Sequence, residues 1–285
     1  MSIAALAIAA SVLMHVTWNL LARQSDPRSN FMWWGVTGHL LLLGPFGFLA
    51  LIRDADWTPT LAGAILISSA ANSAYFLGLR GAYRHGPVAL VYPIARSSPL
   101  LIALWSVLFF NESLTPIGWT GILVSVAGLI WLGLTARGGD TRHALSWAVL
   151  AALCTSVYSL SDKVAVAYLP TFGSQLGFVS AGLLVSWGLL SLLNLRETGH
   201  WAPARRPPLL ALTAGSLCIG TSYALVVHAM QYLPAAYVVT MTNFGLVLAT
   251  LISIFAFGDR EHWRTRLIAT GVVVSGIALV AIARG

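Results

Sequence analysis

The chain has 285 residues, of which 58% are hydrophobic and 9% charged, and its mean hydropathy is +0.81. A soluble domain carries about 25% charged residues; here there is too little polar surface to cover a globule in water, so the solvent is lipid. The net charge of +7 does not bring in nucleic acid, because one of the 16 basic residues, Lys163, is a lysine and the scattered arginines sit at segment ends, where they anchor helices to anionic headgroups.

A helix needs about 20 apolar residues to cross the hydrocarbon core. Ten such segments follow one another, over 3–22, 31–52, 59–83, 87–110, 116–136, 143–165, 171–194, 208–231, 234–257 and 265–283. Backbone in lipid must satisfy its own hydrogen bonds, and the short alternating segments of a barrel do not occur, so each segment is read as a helix. The first Lys or Arg is Arg23, so the first segment has no basic leader and is expected to be retained rather than cleaved. Cys154 and Cys218 lie within apolar runs and offer neither a disulfide framework nor metal-ligand spacing; no metal and no cofactor is expected.

Residues at i, i+3, i+4 and i+7 share a helix face. In the first segment Ser11, His15, Trp18, Asn19 and Ala22 form such a stripe, in the third Asn72, Tyr75 and Phe76, and in the sixth Thr155, Tyr158, Ser159 and Asp162. The eighth offers Ser222, Tyr223 and His228. Polar stripes avoid lipid and face the bundle interior or a wet cavity, which makes His15, Trp18, Asn19, Tyr75, Tyr158, Tyr223 and His228 candidate substrate contacts. Asn19, Thr155 and Ser159 read at least as well as interhelical hydrogen-bond glue, and His15 equally as a satisfied core histidine. Trp33, Trp34, Trp57 and Trp201 stand near segment ends as interface anchors. Asp162 and Lys163 lie near a helix end, where local pairing suffices for them; no acidic residue falls in the middle of a span, so transport is not expected to depend on a membrane carboxylate.

The fourth segment contains ALVYPIARSSPLLIALW, Ala89 to Trp105. Arg96 lies roughly 14 Å along that helix at 1.5 Å per residue, near the middle of a ~30 Å core. A charge there costs about 2.5–3.5 kcal/mol on insertion scales, and the run holds no acidic residue. Pro93 and Pro99 cannot donate to the Ala89 and Ala95 carbonyls, so they mark a hinge and free two acceptors on either side of Arg96. A guanidinium takes a carboxylate bidentately, and freed carbonyls suit an ammonium. With Tyr92 one turn earlier on the same face, the run is the expected site for an amino acid. The alternative is that Arg96 pairs with protein carbonyls and only shapes the helix.

Laid on itself at an offset of 140, the chain pairs LMHVTWNLLAR with LCTSVYSLSDK; at 147 Pro87 meets Pro234, Arg96 meets Asn243, Phe110 meets Phe257 and Glu112 meets Asp259; at 148 Gly128 meets Gly276. The common order indicates a duplication of five helices, with 1–137 as the first repeat and 138–285 as the second. Five is odd, so the second repeat enters the membrane inverted, a plan that puts substrate near the midplane. Arg96 and Asn243 are then equivalent polar residues around a central cavity. Gly121-Ile-Leu-Val-Ser125 and Gly271-Val-Val-Val-Ser275 are small-xxx-small patterns for close helix packing.

The tract ALVYPIARSSPLLIALWSVLFFNESLTPIGWTGILVSVAGLIWLG resembles the second part of an EamA-type module of the drug/metabolite transporter superfamily, and PAAYVVTMTNFGLVLATLISIFAFGDRE…GVVVSGIAL resembles a degenerate second copy. The resemblance implies five plus five helices, both termini on one side, and export by alternating access; length and aromatic content look most like the exporters of amino acids, aromatic ones included. One departure stands out: smaller multidrug relatives carry a first-helix Glu eight residues before a basic residue, and here His15 occupies that place before Arg23.

Twelve arginines (Arg23, Arg28, Arg80, Arg84, Arg137, Arg142, Arg196, Arg205, Arg206, Arg260, Arg264 and Arg266) fall at odd-numbered connections, against Arg53, Lys163 and Arg284 opposite. Basic loops stay cytoplasmic, which puts both termini in the periplasm of a bacterial-type inner membrane, whereas the resemblance implies termini in the cytoplasm. The function expected is a secondary carrier, working as a monomer in the bilayer, that exports small metabolites, amino acids first. No G-x-x-x-x-G-K-[ST] loop is present for direct use of ATP. A multidrug or nucleotide-sugar carrier is the alternative; from other classes, an intramembrane enzyme lacks clustered chemistry, and a channel fits a duplicated, proline-broken bundle less well.

Overall fold

The structure is a computed structural model and describes residues 2–26, 29–136, 140–258 and 261–283. Arg28, Arg137, Arg260 and Arg284 of the charge asymmetry, and Asp259 of the repeat, lie outside the described residues. Every described element is helical: α1 (Ile3–Gln24), α2 (Phe31–Leu42), α3 (Gly44–Asp54), α4 (Pro59–His85), α5 (Val88–Ala95), α6 (Pro99–Phe110), α7 (Pro116–Leu134), α8 (Thr141–Ala165) with a 3-10 turn (Val166–Tyr168), α9 (Phe172–Thr198), α10 (Leu209–Ala229), α11 (Ala235–Thr242), α12 (Phe244–Phe255) and α13 (Trp263–Ala283). Nine of these stretches are long and apolar enough to cross a membrane, and the pair α2–α3, bent by 55°, makes up to ten. The protein is therefore an all-α, multi-pass membrane protein.

Proline sets several helix starts. Pro45, Pro99 and Pro116 each stand in the first turn of α3, α6 and α7, where a missing N–H has no partner to lose. The expected second segment is not one straight helix: Pro45 cannot donate to the Leu41 carbonyl, so the helix restarts there and bends. The expected fourth and ninth segments are likewise each two helices, joined at Arg96–Ser98 and at Asn243.

Helices gather into two compact units, one from residues 1–73 and 161–231, the other from 74–160 and 232–285. Each unit thus takes chain from both sequence halves, and α4 and α8 each pass from one unit to the other in mid-helix.

In the first unit α2–α3 runs along α9. Trp33 Nε1 donates to Ser191 Oγ at 2.8 Å, Trp187 Nε1 to Thr37 Oγ1 at 2.8 Å, and Thr171 Oγ1 to Asp54 Oδ2 at 3.1 Å. The fully buried His39 sits 3.0 Å from Ser180 Oγ. Residue numbers rise along α2–α3 as they fall along α9, so the two are antiparallel. Between them Gly47 and Gly177 let the backbones touch: a Cβ on Gly47 would lie 2.9 Å from Gly177 N.

In the second unit α7 packs antiparallel on α13, with Gly121 against Gly276 and Gly128 against Val273. A Cβ on Gly121 would lie 2.7 Å from the Gly276 carbonyl. The small-residue spacing predicts the packed face correctly on α7 but not on α13. Gly121 and Ser125 do face the partner helix, but Gly271 meets nothing within 4 Å and Ser275 is exposed. Gly276, one position on and about 100° around the helix, is the residue turned to α7. The ninth span also opposes the fourth and the turn that follows it: α11 packs on α6, Asn243 Nδ2 donates to the Arg96 carbonyl at 3.2 Å, and Tyr237 Oη receives the N–H of Thr115, the N-cap of α7, at 3.3 Å.

Second with seventh, fourth with ninth and fifth with tenth, equivalent spans of the two sequence halves pack antiparallel. That is the signature of an inverted-topology repeat. The loops agree, because odd connections meet odd ones (Arg205 to Asp26 at 2.6 Å; the His85 and His143 rings 5.6 Å apart) and even meet even (Asp56 N to Tyr168 O at 3.0 Å).

Candidate functional site

The break between α5 and α6 is built by its residues in order. Arg96 closes α5 as its C-cap, with its N–H on the Tyr92 and Ile94 carbonyls; Ser97 and Ser98 turn the chain, and Pro99 opens α6. The Arg96 side chain folds back one turn along α5. Its Nε and Nη2 both donate to Tyr92 Oη, at 3.1 and 2.8 Å, and the guanidinium carbon lies 5.2 Å from the Tyr92 ring centre. The expected pairing of Tyr92 with Arg96 is therefore present as a direct bond.

Arg96 is half-buried, and among the described residues no carboxylate lies within ion-pair distance of it. A guanidinium carries five N–H donors, and the remaining ones make no further hydrogen bond among the described residues. The charge is felt by Tyr92, Tyr75 and Tyr158. Tyr75 and Tyr158 stand edge-to-face with centroids 5.9 Å apart, and Phe76 meets Tyr75 at 5.5 Å. Rings and cation thus line one locality of the second unit. Asn243, almost wholly buried at the α11–α12 join, holds the Arg96 carbonyl through its Nδ2 while its Oδ1 is buried without a partner among the described residues. The two broken helices are tied together at the two residues the repeat equates. Of the prolines, Pro99 opens the new helix and Pro93 stays inside α5.

Of the other sequence candidates His15, Trp18, Asn19, Tyr223 and His228 lie in the first unit, and Thr155 in the second. His15 Nδ1 is 3.0 Å from the Ser11 carbonyl and 3.2 Å from Ser11 Oγ. Since Ser11 Oγ gives its proton to the Ser222 carbonyl at 2.8 Å, Nδ1 carries the imidazole hydrogen and donates to Ser11 O. Asn19 donates to the His15 carbonyl at 2.7 Å and Thr155 to the Ala151 carbonyl at 2.9 Å, so both bond within their own helices rather than gluing two together. Trp18 has its indole N–H buried with no acceptor among the described residues, its ring 6.2 Å from that of His15. His228 Nδ1 meets Gln175 Oε1 at 2.9 Å and its ring stands edge-on to Phe172 at 5.9 Å. Tyr223 Oη donates to Asp162 Oδ2.

Asp162 corrects the expectation of local pairing. The carboxyl is fully buried; Ser68 Oγ donates to Oδ1 at 2.5 Å, Tyr223 to Oδ2, and Lys163 turns away to the Met230 carbonyl at 2.6 Å. The α8 helix continues through Ala165 into a 3-10 turn, which takes Asp162 inside the packed helices. Ser68 and Gln175 escaped the sequence reading; the i+3 step from Ser159 to Asp162 was the one available signal for this cluster. Among the described residues no three His, Cys, Asp or Glu side chains gather to hold a metal.

The sequence profile of the EamA-like transporter family matches this chain twice, over residues 1–134 and 142–282. Among solved structures 29 chains match. One, described as a crystal structure of a protein, superposes with a TM-score of 0.76 over 100% of this chain and 99% of its own, at 21% identity, which is a likeness of fold. No curated protein matches.

Proposed function

Because the chain belongs to the EamA-like transporter family, we propose that it is a secondary carrier that exports amino acids, aromatic ones included, across a bacterial-type inner membrane by alternating access. The observation that supports this reading is Arg96: a permanent cation at a helix break, half-buried, held to Tyr92 and, among the described residues, facing no carboxylate. An arginine within a membrane is costly unless something answers its charge. A substrate carboxylate does so, through the N–H groups that Tyr92 does not take, in the planar geometry a guanidinium offers. The edge-to-face pair Tyr75 and Tyr158 supplies aromatic surface for a flat side chain.

On this reading residues 1–137 and 138–285 are the two repeats, the carrier works as a monomer, and both termini are periplasmic, as the arginine-rich odd connections require. In the first unit Trp18, with its buried indole N–H, is a further candidate for substrate contact. His15, Asn19, Tyr223 and His228 bond to protein groups, and their contribution is to fix helix faces around the substrate path. The test is a liposome assay with purified protein, comparing an amino acid with its amide: the amino acid is carried and the amide poorly so. Equal transport of both removes the carboxylate from the reading.

A further inference from the structure

We propose that Asp162 is a proton-binding site of the carrier, distinct from the helix break at Arg96. The inference rests on the reading of the chain as a carrier and adds the ion that drives it.

The carboxyl group lies where α4, α8 and α10 meet, with none of its residue exposed. The first-unit part of α4, from Pro59 to Ser73, has no charged or titratable residue and contributes the Ser68 hydroxyl at 2.5 Å. The α10 helix contributes Tyr223, on Oδ2; its His228 is held by Gln175. On α8 the adjacent Lys163 places its ammonium on the Met230 carbonyl, and on α1, which packs against α10, His15 is held at Ser11. Among the described residues no cation lies within ion-pair distance of Asp162.

An ionised carboxylate removed from water needs a cation or a full set of donors. Among the described residues two hydroxyls are the whole set, and a proton answers the rest. When it adds to Oδ2, the new carboxyl O–H must donate, so Tyr223 Oη becomes the acceptor and its own O–H turns away. When the proton leaves, the original bond returns. One proton is taken up and one released per cycle, with no other bond made or broken. The α8–α10 link therefore reverses direction with the proton, and differential affinity for protons between two states is what lets a gradient bias a conformational equilibrium.

The experiment reconstitutes wild type and Asp162→Asn in liposomes and measures labelled amino acid accumulated under a one-unit pH gradient, and counterflow at equal pH. Wild type should gain up to about tenfold accumulation from one pH unit, the energy of one coupled proton. Asp162→Asn should gain none while its counterflow persists. Infrared difference spectra across an acid-to-neutral step give a readout independent of transport: a protonated-carboxyl band present in wild type and missing from Asp162→Asn. Should that variant fail to fold, Ser68→Ala removes one donor to the ionised form, and the band should then persist to higher pH. An equal gradient response in wild type and Asp162→Asn, an unchanged band in that variant, or an unmoved band in Ser68→Ala overturns the proposal. If wild type shows no amino-acid counterflow, the carrier reading falls, while the infrared comparison still decides whether Asp162 takes the proton.

Discussion

Replacing Arg96 separates a substrate-reading cation from a structural one. In the structure its Nε and Nη2 hold Tyr92 Oη, and the other N–H groups are left for a ligand. A charge-assisted hydrogen bond contributes about 1.5–3 kcal/mol, so loss of one carboxylate contact lowers affinity by roughly tenfold to over a hundredfold. Arg96→Met removes the charge, which lightens insertion by about 2.5–3.5 kcal/mol, and deprives Tyr92 of its donor, at about 1 kcal/mol; net stability should therefore hold or improve. Arg96→Lys keeps the charge but not the fork, and should fall between. The assay crosses wild type and both variants with an amino acid and its amide in liposomes, with the amount of folded protein measured for each. Wild type should prefer the amino acid strongly, Arg96→Met should lose that preference, and the amide should lose little. If Arg96→Met transports the two in the wild-type ratio, the reasoning fails and Arg96 is a strut of the broken helix.

Other outcomes follow from the packing and the topology. Gly276→Val should destabilise the protein by about 1–3 kcal/mol or more, since its Cβ would press on the Ser125 backbone and lie 2.6 Å from the Gly121 carbonyl, whereas Gly271→Val, with nothing within 4 Å, should leave thermal stability unchanged; equal shifts in a melting assay would contradict the observed α7–α13 face. Trp18→Phe removes an indole N–H that has no acceptor, so the melting temperature should hold while substrate affinity drops by about fivefold or more, the value of one neutral hydrogen bond; unchanged affinity would return Trp18 to the core. A reporter fused after residue 285 should work only if it functions in the periplasm, and activity confined to a cytoplasmic reporter would reverse the orientation.

Much of this fold could be read directly, because hydropathy marks spans strongly and each of the ten expected segments overlaps its helix closely. The break at Arg96 was legible through Pro93 and Pro99, which forbid a continuous ladder. Its equivalent at Asn243 was not, since no proline marks it; there the chain steps through a bond from Asn243 N to the Thr240 carbonyl and is held by a side chain reaching Arg96, 147 positions away. The bend after Leu42 was missed although Pro45 marks it, because hydropathy stays high across Gly44 and Pro45 and a window average does not see direction. Small-residue spacing named the right helices at α7 and α13 but the wrong face of α13, because spacing fixes a stripe and not the side that meets a partner. Asp162 shows the limit most plainly. Its position near a helix end implied local pairing, and only the tertiary arrangement reveals Ser68 and Tyr223 closing over it.

Counterflow tests the carrier reading most directly. Purified protein in sealed liposomes preloaded with unlabelled amino acid, at equal pH and without ATP, should take up labelled amino acid transiently and saturably, above its own equilibrium level, with aromatic amino acids competing. Uptake that rises linearly with concentration and never overshoots, or an ion current in place of amino-acid flux, would contradict it.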